Sequence, residues 1–232
     1  FGQVTITGKH RFISVVPVPG KVAIDGKLDD WDLSGEILSY AFPETAERRH
    51  ARTAMMYDSD NLYVAVYFRD TTPMMNMCDG RVDKSRGWDA DCFQLRMVAD
   101  ASIGYPVELK EPKPIARDMM MWYFTGKQEP TISIDTMVVQ PNLELKYSFD
   151  PQVFFGEDSG LAFSKAEDGY ILEGKIPWKR LKMPGAPPAG AKLAMTMQHL
   201  WGNDEGTRYA TSVNDITGPA GGFTYQRVVG WG

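Results

Sequence analysis

The amino-acid sequence predicts an all-β protein, a two-layer antiparallel sandwich of the jelly-roll kind, on three observations. Apolar residues recur with a period of two rather than 3.6. The apolar runs are short and are bounded by clusters of Gly, Pro, Asn and Asp. No stretch carries the pattern of a long amphipathic helix. About ten short strands with turn signals between them are enough to build two packed sheets.

The elements follow in order. Arg52–Tyr57 and Asn61–Phe68 are strands joined by the turn signal Asp58-Ser-Asp-Asn61. In the second, Leu62, Val64, Val66 and Phe68 share one face and Tyr63, Ala65 and Tyr67 the other. Both faces are apolar or aromatic, which predicts a central strand covered on both sides. Cys92–Val98, Met119–Phe124 and Thr131–Val139 continue the pattern. Leu143–Phe149 alternates apolar with polar, as a half-exposed strand does. Tyr170–Ile176, Leu193–Trp201, Arg208–Val213 and Phe223–Val229 complete the set. Pro177-Trp-Lys-Arg-Leu181 reads as one helical turn, its proline pre-set for the first position. Two long connections, Thr71–Asp89 and Ala99–Arg117, break the rhythm, and long loops on a rigid β scaffold are where binding residues commonly sit.

With 232 residues, 43% of them apolar and 24% charged, the chain can fill one core and reads as a single domain over 1–232. Its net charge is −5 with Lys and Arg scattered, and binding nucleic acid needs a basic stripe. No apolar run reaches the roughly 20 residues a membrane helix requires. The two cysteines, Cys78 and Cys92, are compatible with a bridge or with free thiols, because spacing does not supply the Cα separation a disulfide demands.

Catalytic signatures do not stand out. The sequence has no Gly-x-Ser-x-Gly elbow, no His-Glu-x-x-His and no phosphate-cradling glycine loop. His10, His50 and His199 are too scattered for a zinc site. Two acidic clusters offer oxygen ligands of the kind calcium takes: Asp25, Asp29, Asp30 and Asp32, then Asp58, Asp60 and Asn61. Neither follows the EF-hand pattern, and Asp and Asn also cap local N–H groups in turns.

Four phrases carry a resemblance. They are Ile24-Asp-Gly-Lys-Leu-Asp-Asp-Trp31, the strand from Tyr57 to Asp70 with its Leu-Tyr-Val core, Trp88-Asp-Ala-Asp-Cys-Phe-Gln-Leu95, and Gly169-Tyr-Ile-Leu-Glu-Gly-Lys-Ile-Pro-Trp178. In this order they resemble the family 9 carbohydrate-binding modules and the wider DOMON-like sandwiches. The resemblance implies a non-catalytic domain that binds a glycan on aromatic rings, as part of a larger secreted, periplasmic or cell-surface bacterial protein. A parent catalytic or cell-surface domain is then the expected partner, and a structural calcium ion the expected cofactor.

By that resemblance Trp88 is one side of an aromatic clamp, and the family's sugar-binding carboxylate six residues later falls on Gln94. The second clamp tryptophan belongs in Thr211–Thr217, which contains none. Trp122, Trp201 and Phe223 are the aromatic substitutes, while Trp31 and Trp178 read as scaffold anchors. The same sandwich group includes domains holding a b-type haem, which keeps an electron-transfer reading open. Met195, Met197, His199 and Trp201 share one face of a strand, and further methionines crowd at Met74, Met75, Met77 and Met119–Met121. Met and His form a sound axial pair, but no Cys-x-x-Cys-His is present for covalent attachment. A third reading is an accessory sandwich that binds no small ligand.

Overall fold

A computed structural model describes residues 13–215 apart from 73, 106 and 149, and leaves the side chains of Arg208–Asp215 aside. Phe223, the expected strand Phe223–Val229 and His10 lie outside the described residues.

The strands are β1 (Val15–Pro17), β2 (Ile37–Ser39), β3 (His50–Tyr57), β4 (Asn61–Arg69), β5 (Cys92–Val98), β6 (Lys113–Phe124) and β7 (Glu129–Val139). They continue as β8 (Leu145–Tyr147), β9 (Gln152–Phe155), β10 (Leu161–Ala166), β11 (Gly169–Pro177), β12 (Met195–Gly202) and β13 (Arg208–Asp215). A six-stranded sheet runs β1-β3-β4-β11-β10, with β2 sharing the β3 edge. A seven-stranded sheet runs β13-β12-β5-β6-β7-β8, with β9 sharing the β7 edge. Every pairing is antiparallel except β1 with β3.

The all-β sandwich expectation therefore holds. Leu62, Val64, Val66 and Phe68 of β4 meet Phe93, Leu95 and Met97 of β5 in the core between the sheets. Interdigitation of two alternating inner faces is what seals a sandwich. Each fully buried side chain of this size contributes about 1.5–3 kcal/mol.

Four strands were not in the expected set, and the reasons are local. β1 and β2 have three residues each, too few for alternation to register. β9 and β10 are edge pieces of four and six residues. The Ala99–Arg117 connection is shorter than expected, because β6 begins at Lys113 with a register shift before Ala116. The turn after β11 is 3-10 rather than α, over Trp178–Leu181, and ends on Lys182 at φ 56°.

The other face of β4 is covered as its composition predicted. Ala54, Met56, Tyr63 and Ala65 form a second cluster with Trp31, sealed by Val16, Val22, Ile24 and Leu28 from the N-terminal segment. Glu173 of β11 latches that segment down. Its Oε2 accepts the N–H groups of Asp25 (2.9 Å) and Gly26 (2.8 Å), and its Oε1 accepts Trp31 Nε1–H (2.7 Å). Burial raises the Glu173 pKa, while these three donors oppose the shift. Gly26 is required there: its φ is +81°, and a Cβ would stand 2.8 Å from the Ser164 Cβ. The first and fourth sequence phrases are thus two halves of one fastening.

Candidate functional site

The period of two gives β5 an inward row, Phe93, Leu95 and Met97, and an outward row, Cys92, Gln94, Arg96 and Val98. Antiparallel registration extends the outward row across the seven-stranded sheet. Gln198 pairs with Gln94 and Thr196 with Arg96. Arg96 pairs in turn with Asp118, and Asp118 with Asp135. A polar band therefore crosses the outer face of this sheet, flanked by two apolar clusters. One is built on Cys92, Met120, Trp122 and Leu200, the other on Val98, Ala116, Met137 and Val139.

Gln94, Arg96, Asp118, Thr196 and Gln198 are all buried. Gln94 Nε2 donates to both Asp118 oxygens, at 2.9 and 3.0 Å, and Arg96 Nη2 lies 3.2 Å from Asp118 Oδ2. Burial raises the Asp118 pKa against the pull of Arg96, and burial lowers that of Arg96 against the pull of Asp118. The Arg96 guanidinium also faces the Tyr147 ring at 5.7 Å. The row sets a cation, a carboxylate, amides and a hydroxyl side by side in register, the mixture of groups with which sugar hydroxyls exchange hydrogen bonds.

The long connection between β4 and β5 folds over the apolar end of this face. Asn76 is its staple, its Nδ2 donating to the carbonyls of Gly87 (2.8 Å) and Asp91 (2.9 Å). Ser133 Oγ donates to the Lys84 carbonyl at 2.7 Å. Asp91 closes the base, accepting the N–H groups of Met75 (2.6 Å) and Gly202 (2.7 Å). Burial pushes its carboxyl pKa up to about 7 despite those two donors.

The aromatic candidates separate cleanly. Trp88 sits in the 3-10 turn Gly87–Asp89, half-buried, and leans on the cluster that borders the polar band. Trp122 is 1% exposed, with Nε1–H given to the Cys78 carbonyl at 3.0 Å. Gly87 lies directly on its ring, so closely that a Cβ would meet Cε3 at 2.5 Å. Trp201 is fully buried and faces the opposite way, edge-on to Phe68 between the sheets at 5.8 Å. Neither of these rings can serve as the second wall of a clamp with Trp88, because packing has already covered their faces. Trp31 and Trp178 are buried anchors, the latter giving Nε1–H to the Asp58 carbonyl at 3.0 Å.

The expected haem ligands do not fit that group. Met195, Met197, His199 and Trp201 do share a face, but it is the core face. His199 Nε2 lies 2.8 Å from Thr53 Oγ1, and the ring is packed by Phe93 (5.1 Å) and Phe68 (5.9 Å). Burial depresses its pKa to about 3, so the imidazole is neutral. No macrocycle could reach Nε2 without opening the sandwich.

Four acidic residues of the two calcium candidates accept N–H groups of nearby backbone. Asp30 accepts the Ala23 N–H (2.7 Å), Asp25 that of Lys27 (3.0 Å) and Asp32 that of Ser34 (2.9 Å). Asp58 accepts the N–H groups of Asp60 (2.8 Å) and Asn61 (2.7 Å) and the Tyr63 hydroxyl (2.7 Å). Among the described residues, no three His, Cys, Asp or Glu side chains converge as a metal site. Cys78 and Cys92 are free thiols in the same apolar cluster.

Sequence reasoning singled out Gln94 but missed Arg96, Asp118, Gln198 and Asn76. The alternation in Cys92–Val98, two polar residues between apolar ones, was the signal for Arg96. Nothing local marks Asp118, which lies 24 residues from Gln94.

No protein-family model matches the chain, and no curated protein does. Among solved structures, a candidate carbohydrate-binding protein from Bacteroides uniformis superposes with TM-score 0.51 and 8% identity, over 87% of this chain and 89% of that one. A family 9 carbohydrate-binding module from Caldicellulosiruptor kristjanssonii in complex with glucose gives TM-score 0.49 and 19% identity, over 89% and 87% of the two chains. The same kind of module in complex with cellotriose gives 0.47 and 18%, over 89% and 86%. At these identities the likeness to the Bacteroides protein is one of fold: this chain is a sandwich of the same architecture.

Proposed function

We propose that this chain is a non-catalytic carbohydrate-binding domain. It holds a glycan against Trp88, on the face that carries the polar band of Gln94, Arg96 and Asp118. One observation carries the reading. Among the described tryptophans Trp88 alone is half-buried, the other four being buried, and it packs on the apolar cluster that flanks the polar band. A flat ring receives the C–H face of a pyranose, while the polar groups exchange hydrogen bonds with its hydroxyls. The Bacteroides uniformis sandwich of the same architecture is described as a candidate carbohydrate-binding protein, which favours the same reading. In it the domain belongs to a secreted or cell-surface bacterial protein and brings a neighbouring domain to polysaccharide.

The test is calorimetric titration of the protein with soluble neutral oligosaccharides, repeated on Trp88→Ala. Loss of a stacking ring should weaken binding by about 10-fold or more. Undiminished affinity in Trp88→Ala would remove the proposed platform, and absence of binding to every glycan would leave an accessory sandwich.

A further inference from the structure

Where β8 hands over to β9 along the β7 edge, the sheet edge opens into a cleft of about 820 Å³. Four basic side chains line it, Arg81, Lys84, Arg180 and Lys182, against one acidic residue, Asp150. The chain as a whole carries a net charge of −5, so this concentration of cations runs against its overall balance.

The cations differ in how they are held. Arg81 is neutralised by Glu129 (2.9 Å) and Asp79 (3.3 Å), and Lys84 lies 3.3 Å from Asp150. Arg180 and Lys182 have no carboxylate within salt-bridge distance among the described residues. Arg180 is nevertheless fixed in place. Its Nη1 and Nη2 donate to the carbonyls of Ser159 (3.2 Å) and Asp158 (2.7 Å), and its guanidinium lies 4.0 Å over the Phe154 ring. Lys182 follows in the turn, its Nζ held 3.2 Å from Thr136 Oγ1. A guanidinium pinned by carbonyls and a ring keeps N–H groups for a ligand and loses little entropy on meeting an anion.

We propose that this cleft is a second binding site, selective for an anionic sugar unit such as a uronate, whose carboxylate pairs with Arg180 and Lys182. The inference rests on the carbohydrate reading for the class of ligand, but on separate residues for its charge. Carboxylate recognition by a planar guanidinium favours two parallel hydrogen bonds, which a lone lysine cannot offer. The isolated cluster suits a single charged unit of a glycan rather than a long polyanion, which the surrounding negative charge would repel.

The experiment titrates the intact chain with trigalacturonate, with cellotriose as the neutral probe of equal length and with sodium sulfate as the sugar-free anion. Trigalacturonate is expected to bind about 10-fold or more tightly than sulfate, and less tightly as salt is raised. Lys182→Gln should weaken it several-fold and Arg180→Gln/Lys182→Gln by about 10-fold or more. Lys165→Gln, an exposed charge change on β10 outside the cleft, should leave it unchanged. Because Arg180 also braces two carbonyls, thermal unfolding of each variant is recorded, and Lys182→Gln decides the matter if the double variant does not fold. Equal binding of trigalacturonate and sulfate, or affinity unaffected by Lys182→Gln and the double variant, overturns the proposal. Binding of cellotriose without trigalacturonate overturns this proposal and spares the carbohydrate reading. Binding of neither trisaccharide overturns this proposal, and the carbohydrate reading falls only if the wider set of oligosaccharides also fails to bind.

Discussion

Replacing Glu173 with glutamine changes one atom and should release the N-terminal segment from the six-stranded sheet. The carboxylate serves three donors, the Nε1–H of Trp31 on one oxygen and the N–H groups of Asp25 and Gly26 on the other. An amide can present its carbonyl to one side only. Its better arrangement faces the two backbone donors and sets Nε2 against the Trp31 N–H, donor to donor. One charge-assisted hydrogen bond, worth about 1.5–3 kcal/mol, is then lost, and the other two weaken to neutral bonds. Relief of the buried charge offsets part of this, because burial already raises the Glu173 pKa. The net cost is about 2–4 kcal/mol, or a fall of about 6–12 °C in Tm for a chain of this size. Urea unfolding read by circular dichroism and tryptophan fluorescence gives the total. Hydrogen exchange at the Asp25 and Gly26 amides locates it, and both should lose protection. A loss below about 1 kcal/mol with both amides still protected would refute the latch.

Three other outcomes are expected. Trp122→Ala should cost about 3–5 kcal/mol in urea unfolding because its ring is sealed under Gly87, whereas Trp88→Ala should cost well under half of that. Asp91 has a folded pKa raised to about 7 from 3.8, so the native state binds the extra proton between those values. Its contribution to stability is full below about pH 3.8, falls by about 1.4 kcal/mol per pH unit as pH rises, and levels off above about 7. Wild type and Asp91→Asn compared by chemical unfolding should differ by about that slope from about pH 5 to 6 and run parallel above about pH 8; parallel curves throughout would refute it. Burial lifts the Cys78 thiol to about 11 from 9.0, so at pH 8 its thiolate fraction is about 100-fold below that of an ordinary cysteine. Native labelling with a disulfide reagent should be slow at Cys78 and absent at the fully buried Cys92, and both should react at once in denaturant.

The sandwich was legible because alternation reports directly on burial. In Asn61–Phe68 both faces were apolar, and both are covered, one by the opposite sheet and the other by the segment around Trp31. Alternation also put Met195, Met197, His199 and Trp201 on one face correctly. It could not say that this face points inward, and that direction removes His199 from any cofactor's reach. The acidic residues of the recurring phrases follow the same rule. Spacing grouped the aspartates, and only the placed backbone shows which N–H groups Asp25, Asp30, Asp32 and Asp58 accept and that Glu173, which spacing did not mark, is a latch.

By itself, then, the sequence determined the class, most of the strands, the anchoring roles of Trp31 and Trp178, and Trp88 as the aromatic residue to watch. The class and the strands follow from periodicity and turn chemistry, which act over a few residues and are written locally, whereas the three tryptophan readings came from the resemblance to the family 9 modules. The tertiary structure alone decided which described tryptophan is only half-buried, which polar residues stand beside Gln94, and that Arg180 and Lys182 share a cleft with Arg81 and Lys84. Those neighbours come from strands and turns tens of residues apart, and their meeting depends on register and on which loop folds over which face. A period of two sorts residues into faces, but the assembly of the sheets chooses what each face meets.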